Sequence, residues 1–225
     1  MRKCVPNRLF CRIAFLCIAA TPLLATAQPN SDSIKSSESP PLASPPSTIW
    51  DTDVGAGFRP GTYTLEIDAG ASRGVAIFGG RQAHDLALMS FNFGRVISEV
   101  QGSSHWYRGN WELRGELFAG AQFLPKTESV VGLAPHLRYN FATGTRWVPF
   151  VDAGAGVTAT TIGHPDLSNT FEFNLQACSG VQWFLKDTCA VTFQARYLHM
   201  SCAGISSPNQ GLNTFLGMVG VTWFF

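Results

Sequence analysis

Charge is scarce in this 225-residue chain: Asp, Glu, Lys and Arg make up 14% of it, against 45% hydrophobic residues. That is little charge for a domain facing water on every side. Long apolar runs are scarce as well. Beyond the first 27 residues no stretch approaches the ~18 apolar residues of a membrane-spanning helix, which excludes such a span there. Metal-ligand spacing is missing: no Cys-x-x-Cys pair occurs, and His105, His136 and His164 fall in separate segments. Neither a metal nor another cofactor is therefore expected. No basic patch argues for a nucleic-acid partner.

The N-terminus carries what the body lacks. Arg2, Lys3, Arg8 and Arg12 precede an apolar run from Ile13 to Leu24, and Ala25-Thr26-Ala27 is a small-x-small cleavage site. Residues 1–27 are thus expected to be a signal peptide, with a mature chain starting at Gln28. Cys17 follows Leu16 rather than a small residue, which argues against a lipid anchor. Cleavage removes four of the 16 basic residues and no acid, leaving 12 against 15 and a net charge of −3. It also removes Cys4, Cys11 and Cys17, leaving Cys178, Cys189 and Cys202. A turn near Lys186 would set Cys178 opposite residue 194 or 195 rather than Cys189, so three free thiols are expected. Residues 28–49 are rich in Ser and Pro and read as a disordered tether.

From residue 50 to 225 the chain changes to short alternating segments separated by Gly, Pro, Asn and Asp. Tyr63, Leu65, Ile67 and Ala69 alternate with Thr64, Glu66 and Asp68; Trp111, Leu113 and Leu117 alternate with Glu112, Arg114 and Glu116. Similar periods start near Ala87, Val131, Val151, Phe171, Val191 and Asn213, giving eight strands of about ten residues, each with an apolar and a polar face. A soluble sandwich would show the same alternation. The leader, the Gly and Ala residues on both faces, and a last strand ending in Val221, Trp223 and terminal Phe225 favour an all-β, eight-stranded antiparallel outer-membrane β-barrel. Glu66, Asp68, Glu112, Arg114, Glu116, Arg138, Asp152, Glu172 and Arg196 would then point into a narrow lumen and pair there.

One pair of residues falls on the other wall. The period of two through Val191, Phe193, Ala195 and Tyr197 places His199 and Ser201 on the apolar face, near the rim. A His and a Ser two apart on one strand face are close enough for the imidazole to take the hydroxyl proton. If the closing hairpin pairs His199 with Asn213, the Asn lies beside the ring on the same face and can orient it through a hydrogen bond. With the termini on the periplasmic side, this rim is extracellular.

The run His199-x-Ser201-x-Ala203-Gly204, followed by Pro208-Asn209-x-Gly211 and a closing strand, resembles the lipid A 3-O-deacylases of the bacterial outer membrane (PagL type). The resemblance implies an eight-stranded membrane barrel located in the cell outer membrane. It also implies a Ser, His and Glu that hydrolyse an acyl ester of lipid A, so that lipopolysaccharide is the partner. On that reading Ser201 is nucleophile, His199 general base and acid, and Cys202 and Gly204 hold the oxyanion. Two positions depart from the family: Asn213 stands where it has the catalytic Glu, and Cys202 where it has Asn. Asn213→Glu is accordingly expected to restore charge beside His199. A barrel of the same family without activity is the alternative reading.

Overall fold

The structure is a computed structural model and describes residues 58–78, 80–168 and 170–225. The signal peptide and tether readings lie outside these residues. Eight strands follow one another: β1 (Tyr63–Gly74), β2 (Asp85–Val96), β3 (Gly109–Leu124), β4 (Glu128–Phe141), β5 (Trp147–Thr160), β6 (Phe171–Lys186), β7 (Cys189–Ser201) and β8 (Leu212–Phe224). Each is antiparallel to the next, and β1 pairs with β8 from Thr64↔Phe224 to Gly74↔Thr214, which closes the sheet. The expected barrel is what forms. Closure leaves no unpaired strand edge, the condition for a sheet to sit in hydrocarbon.

The strands run longer than about ten residues, from 12 in β1 to 16 in β3 and β6, as strands tilted to the barrel axis must. The sixth continues ten residues past Gln176, where Ala177, Ser179 and Gly180 obscure the alternation. The β6–β7 hairpin turns at Asp187 and Thr188 rather than near Lys186, so that even with the irregularity between Phe184 and Lys186 Cys178 faces Arg196 rather than residue 194 or 195. Cys178, Cys189 and Cys202 are free thiols.

All nine charged residues expected inside are buried or engaged there, and the pairing is specific. Glu66 meets Arg114 at 2.9 Å and Arg138 at 3.2 Å; Asp152 meets Arg114 at 3.2 Å, Arg138 at 3.1 Å and His136 at 2.6 Å. Glu116 meets Arg196 at 2.5 Å. The Arg138 guanidinium also lies over the Phe150 ring, 3.8 Å from its centroid. A buried charge is tolerable only with such partners.

This charged layer is bounded at both ends by apolar plugs that strand alternation alone does not reveal. Leu86, Leu88, Phe118, Leu198, Met200, Leu212 and Met218 fill the lumen toward the end that carries connections 75–84, 125–127, 161–170 and 202–211. Phe58, Val96, Val148, Phe184 and Phe224 fill the end that carries the start of β1 and the end of β8. Outside, Ile67, Met89, Phe91, Leu117, Leu133 and Val219 form an exposed apolar wall. Aromatic contacts lie near both rims, among them Trp147 on Trp183 at 5.4 Å and Tyr197 on Phe215 at 5.2 Å. An apolar band between aromatic girdles is how a barrel meets a bilayer.

Candidate active site

β7 and β8 build the site at the end opposite the start of β1 and the end of β8. Their register sets His199 directly across from Asn213, so both side chains leave the same face. Phe193 and Ala195 on that face are exposed, which identifies it as the outer wall; His199 and Ser201 are half-buried. His199 Nε2 lies 3.1 Å from Ser201 Oγ, and His199 Nδ1 lies 2.8 Å from Asn213 Oδ1. The three residues expected to act together thus form one hydrogen-bonded chain: amide, imidazole, hydroxyl.

Asn213 is 2% exposed although its strand face is the outer one, because connection 75–84 folds over it. Val75 N–H donates to Asn213 O at 2.9 Å, and Asn213 Nδ2 donates to Ile77 O at 2.7 Å. The Tyr197 hydroxyl donates to Asn213 Oδ1 at 2.6 Å. Sequence reasoning had Tyr197 only as a wall residue. Its place two positions before His199 on one face was the available signal. The Ile77 carbonyl carried none, since main-chain groups of a loop leave no trace in a pattern of side chains.

Gly211 shows why the motif has glycine there. Its φ is +78°, and a Cβ would come within 2.9 Å of His199 Cε1. Only glycine gives both the left-handed backbone and the room for the imidazole.

The turn after Ser201 is tight: Ala203 and Gly204 have φ of 54° and 81°, and Ile205 N–H donates to Cys202 O at 3.1 Å. Asn209 Oδ1 accepts the Cys202 N–H at 3.1 Å, a tie that assigns the motif's Asn a role the sequence did not. The Cys202 side chain is buried beneath the turn, turned away from His199, and its thiol donates to Ser206 O at 3.3 Å. Burial alone would raise that thiol's pKa, but bonds from the Ser206 hydroxyl and amide, the Gly204 amide and the Ser168 hydroxyl outweigh it and lower the pKa. Of the two expected oxyanion donors, the Cys202 amide is therefore engaged by Asn209.

A second cluster fastens the connections around the site. Asp166 in connection 161–170 is fully buried; its carboxylate accepts the N–H groups of Arg81 at 2.9 Å and Gln82 at 3.1 Å and meets His84 Nε2 at 2.8 Å. Its main-chain oxygen accepts Gln210 N–H at 3.0 Å. Three connections are thus tied through one residue. In the lumen, His136, Asp152 and Cys178 converge although their sequence spacing suggests nothing. Both His136 nitrogens already face carboxylates, Asp152 at 2.6 Å and Glu116 at 3.3 Å, so this trio belongs to the charged layer.

A family model described as lipid A 3-O-deacylase (PagL) matches residues 87–222, more than half of the chain. The chain belongs to that family. The lipid A deacylase PagL of Pseudomonas aeruginosa is 28% identical over 120 residues, 50% of this chain and 66% of that protein, so just under two thirds of the relative is spanned. Among solved structures, Neisserial surface protein A superposes with a TM-score of 0.56 at 13% identity, covering 73% of this chain and 99% of that one. This likeness concerns the fold alone. The outer membrane enzyme PagL gives a TM-score of 0.48 at 19% identity, covering 70% of this chain and 97% of that one. This member of the family is an outer-membrane barrel, and the matched region contains the whole run from His199 to Asn213.

Proposed function

We propose that this protein is a serine esterase that removes the 3-O-linked acyl chain from lipid A. The observation that supports the reading best is His199 bridging Ser201 Oγ and Asn213 Oδ1, at motif positions of a deacylase family. Ser201 Oγ attacks the ester carbonyl while its proton passes to His199 Nε2. The tetrahedral oxyanion collapses, the bond to the sugar oxygen breaks, and His199 returns the proton to that oxygen. Water then attacks the acyl-serine with His199 as base, releasing the fatty acid and restoring the hydroxyl. Asn213 holds the ring in place throughout.

Oxyanion stabilisation calls on the Gly204 amide. Cys202 contributes its place in the turn rather than a side-chain donor. With the start of β1 and the end of β8 toward the periplasm, the site lies at the level of the outer leaflet, where lipopolysaccharide presents its acyl esters. The outer-wall position suits a substrate that is itself a membrane lipid.

Purified protein incubated with lipopolysaccharide micelles should release a hydroxy fatty acid, and Ser201→Ala should reduce that release at least ~10³-fold, as loss of a serine nucleophile does. Mass spectrometry of the remaining lipid A reads the position. Release that survives Ser201→Ala would refute the mechanism, and an inactive parent would leave a barrel of the family that no longer catalyses.

A further inference from the structure

An amide in place of a carboxylate creates a difficulty that a carboxylate does not have. Either oxygen of Asp or Glu accepts a hydrogen bond, so the neighbouring imidazole always carries its proton on the facing nitrogen. An amide has one accepting and one donating end. Turned the wrong way, it would donate to His199 Nδ1 and leave the proton on Nε2, where Ser201 needs a lone pair. The wrong tautomer in a serine triad lowers turnover by about 10⁴-fold.

The surroundings of Asn213 resolve the choice. A carbonyl oxygen can only accept, and Ile77 O lies 2.7 Å from one end of the amide, which must therefore be the NH2. Oδ1 is then the end facing His199 Nδ1 at 2.8 Å and the Tyr197 hydroxyl at 2.6 Å. An oxygen has two lone pairs, enough for both donors. Ile77 is itself held: its carbonyl also accepts Gly80 N–H at 3.1 Å, its N–H donates to Val75 O at 3.0 Å, and Val75 is bonded to the Asn213 main chain. Connection 75–84 is thus a clamp on the amide.

We propose that the Ile77 main-chain carbonyl is a positioning group: it fixes the Asn213 amide oxygen-first toward His199, which places the ring proton on Nδ1 and frees Nε2 to act as base. The inference rests on the esterase reading for its consequence in turnover but not for its geometry. It assigns connection 75–84, remote in sequence from the motif, a part in the reaction. Through it a neutral orienter supplies the tautomer that a carboxylate would supply by itself.

The test uses the whole chain purified in detergent with 15N-labelled histidine, whose ring shifts report which nitrogen bears the proton; a His199→Gln sample assigns the signal. Neutral His199 in the parent is expected as the Nδ1–H form. Gly80→Val then acts as a wedge, because a Cβ at Gly80 meets Gly211 O at 3.0 Å, Ile77 O at 3.4 Å and Asn213 Nδ2 at 3.5 Å. It should produce a tautomer mixture and lower kcat by about 10²- to 10⁴-fold with a smaller change in KM. Asn213→Asp combined with Gly80→Val should return His199 to the Nδ1–H form, since a carboxylate accepts from either oxygen. A purely structural wedge would not be rescued in this way. If Gly80→Val gives no heat-modifiable barrel, Gly80→Ala is read in its place. An Nε2–H parent, or a wedge variant with the parent tautomer, overturns the proposal whatever the activity. The expected tautomers without any fatty-acid release would sustain the positioning and refute the esterase reading; release with tautomers indifferent to the wedge would do the reverse.

Discussion

At the scale of single residues, Asn213 changes meaning once its partners are known. From the strand alone, Asn213→Glu looks like a simple gain of charge beside His199. In the structure the same substitution removes the side-chain donor to Ile77 O, leaving it the Gly80 N–H alone, and turns an acceptor toward that carbonyl, in a site only 2% exposed. We expect Asn213→Glu to cost about 1–3 kcal/mol, the usual result of leaving a buried polar group without its partner. Urea unfolding of the barrel in lipid vesicles measures it, and unchanged stability would mean that the carboxylate finds a partner elsewhere. His199 and Ser201 were legible because the period of two fixes their face, and Asn213 because antiparallel pairing fixes what lies opposite. Tyr197, Asn209 and Ile77 were not legible as site residues. Their parts depend on where a hydroxyl, a loop amide and a main-chain oxygen end up, which periodicity does not encode.

At the scale of elements, the strands carry His199, Ser201 and Asn213 and the connections determine how firmly they are held. Asp166 joins connections 75–84, 161–170 and 202–211 by bonds to Arg81, Gln82, His84 and Gln210. Removing its carboxylate takes away the partner of His84 Nε2 and releases two main-chain N–H groups at once. Asp166→Ala should therefore free these connections while the barrel persists. Limited trypsin digestion should cut after Arg81 at least ~10-fold faster than in the parent, because access to a loop follows its local opening free energy. Equal cleavage rates would show that the clasp is redundant. The sequence announced eight elements and their order, since alternation and turn residues report strands directly. It understated their length where Ala177, Ser179 and Gly180 blur both faces, and it missed the β6–β7 register because the hairpin turns at Asp187 and Thr188, beyond the Lys186 on which it was centred.

At the scale of the whole molecule, the barrel is a filled cylinder. Charged residues predicted for the interior occupy its middle, where Arg114 and Arg138 bridge Glu66 and Asp152. The apolar plugs around Leu198 and Met200 at one end and Phe184 and Phe224 at the other escaped the sequence reading, because a Leu on a polar face looks like noise until its neighbours across the lumen are known. Reconstituted in a planar bilayer, the protein should pass no ions; steady single-channel steps would contradict the packing. With the interior closed, the outer wall is the surface left for the proposed chemistry, and Ser201 and His199 stand on it. An enzyme so placed meets its substrate by collision within a sheet of lipid, and the quantity that sets its rate is the fraction of neighbours that carry the right ester. Diluting the lipopolysaccharide with inert detergent at constant bulk concentration slows such an enzyme, as adding water does not.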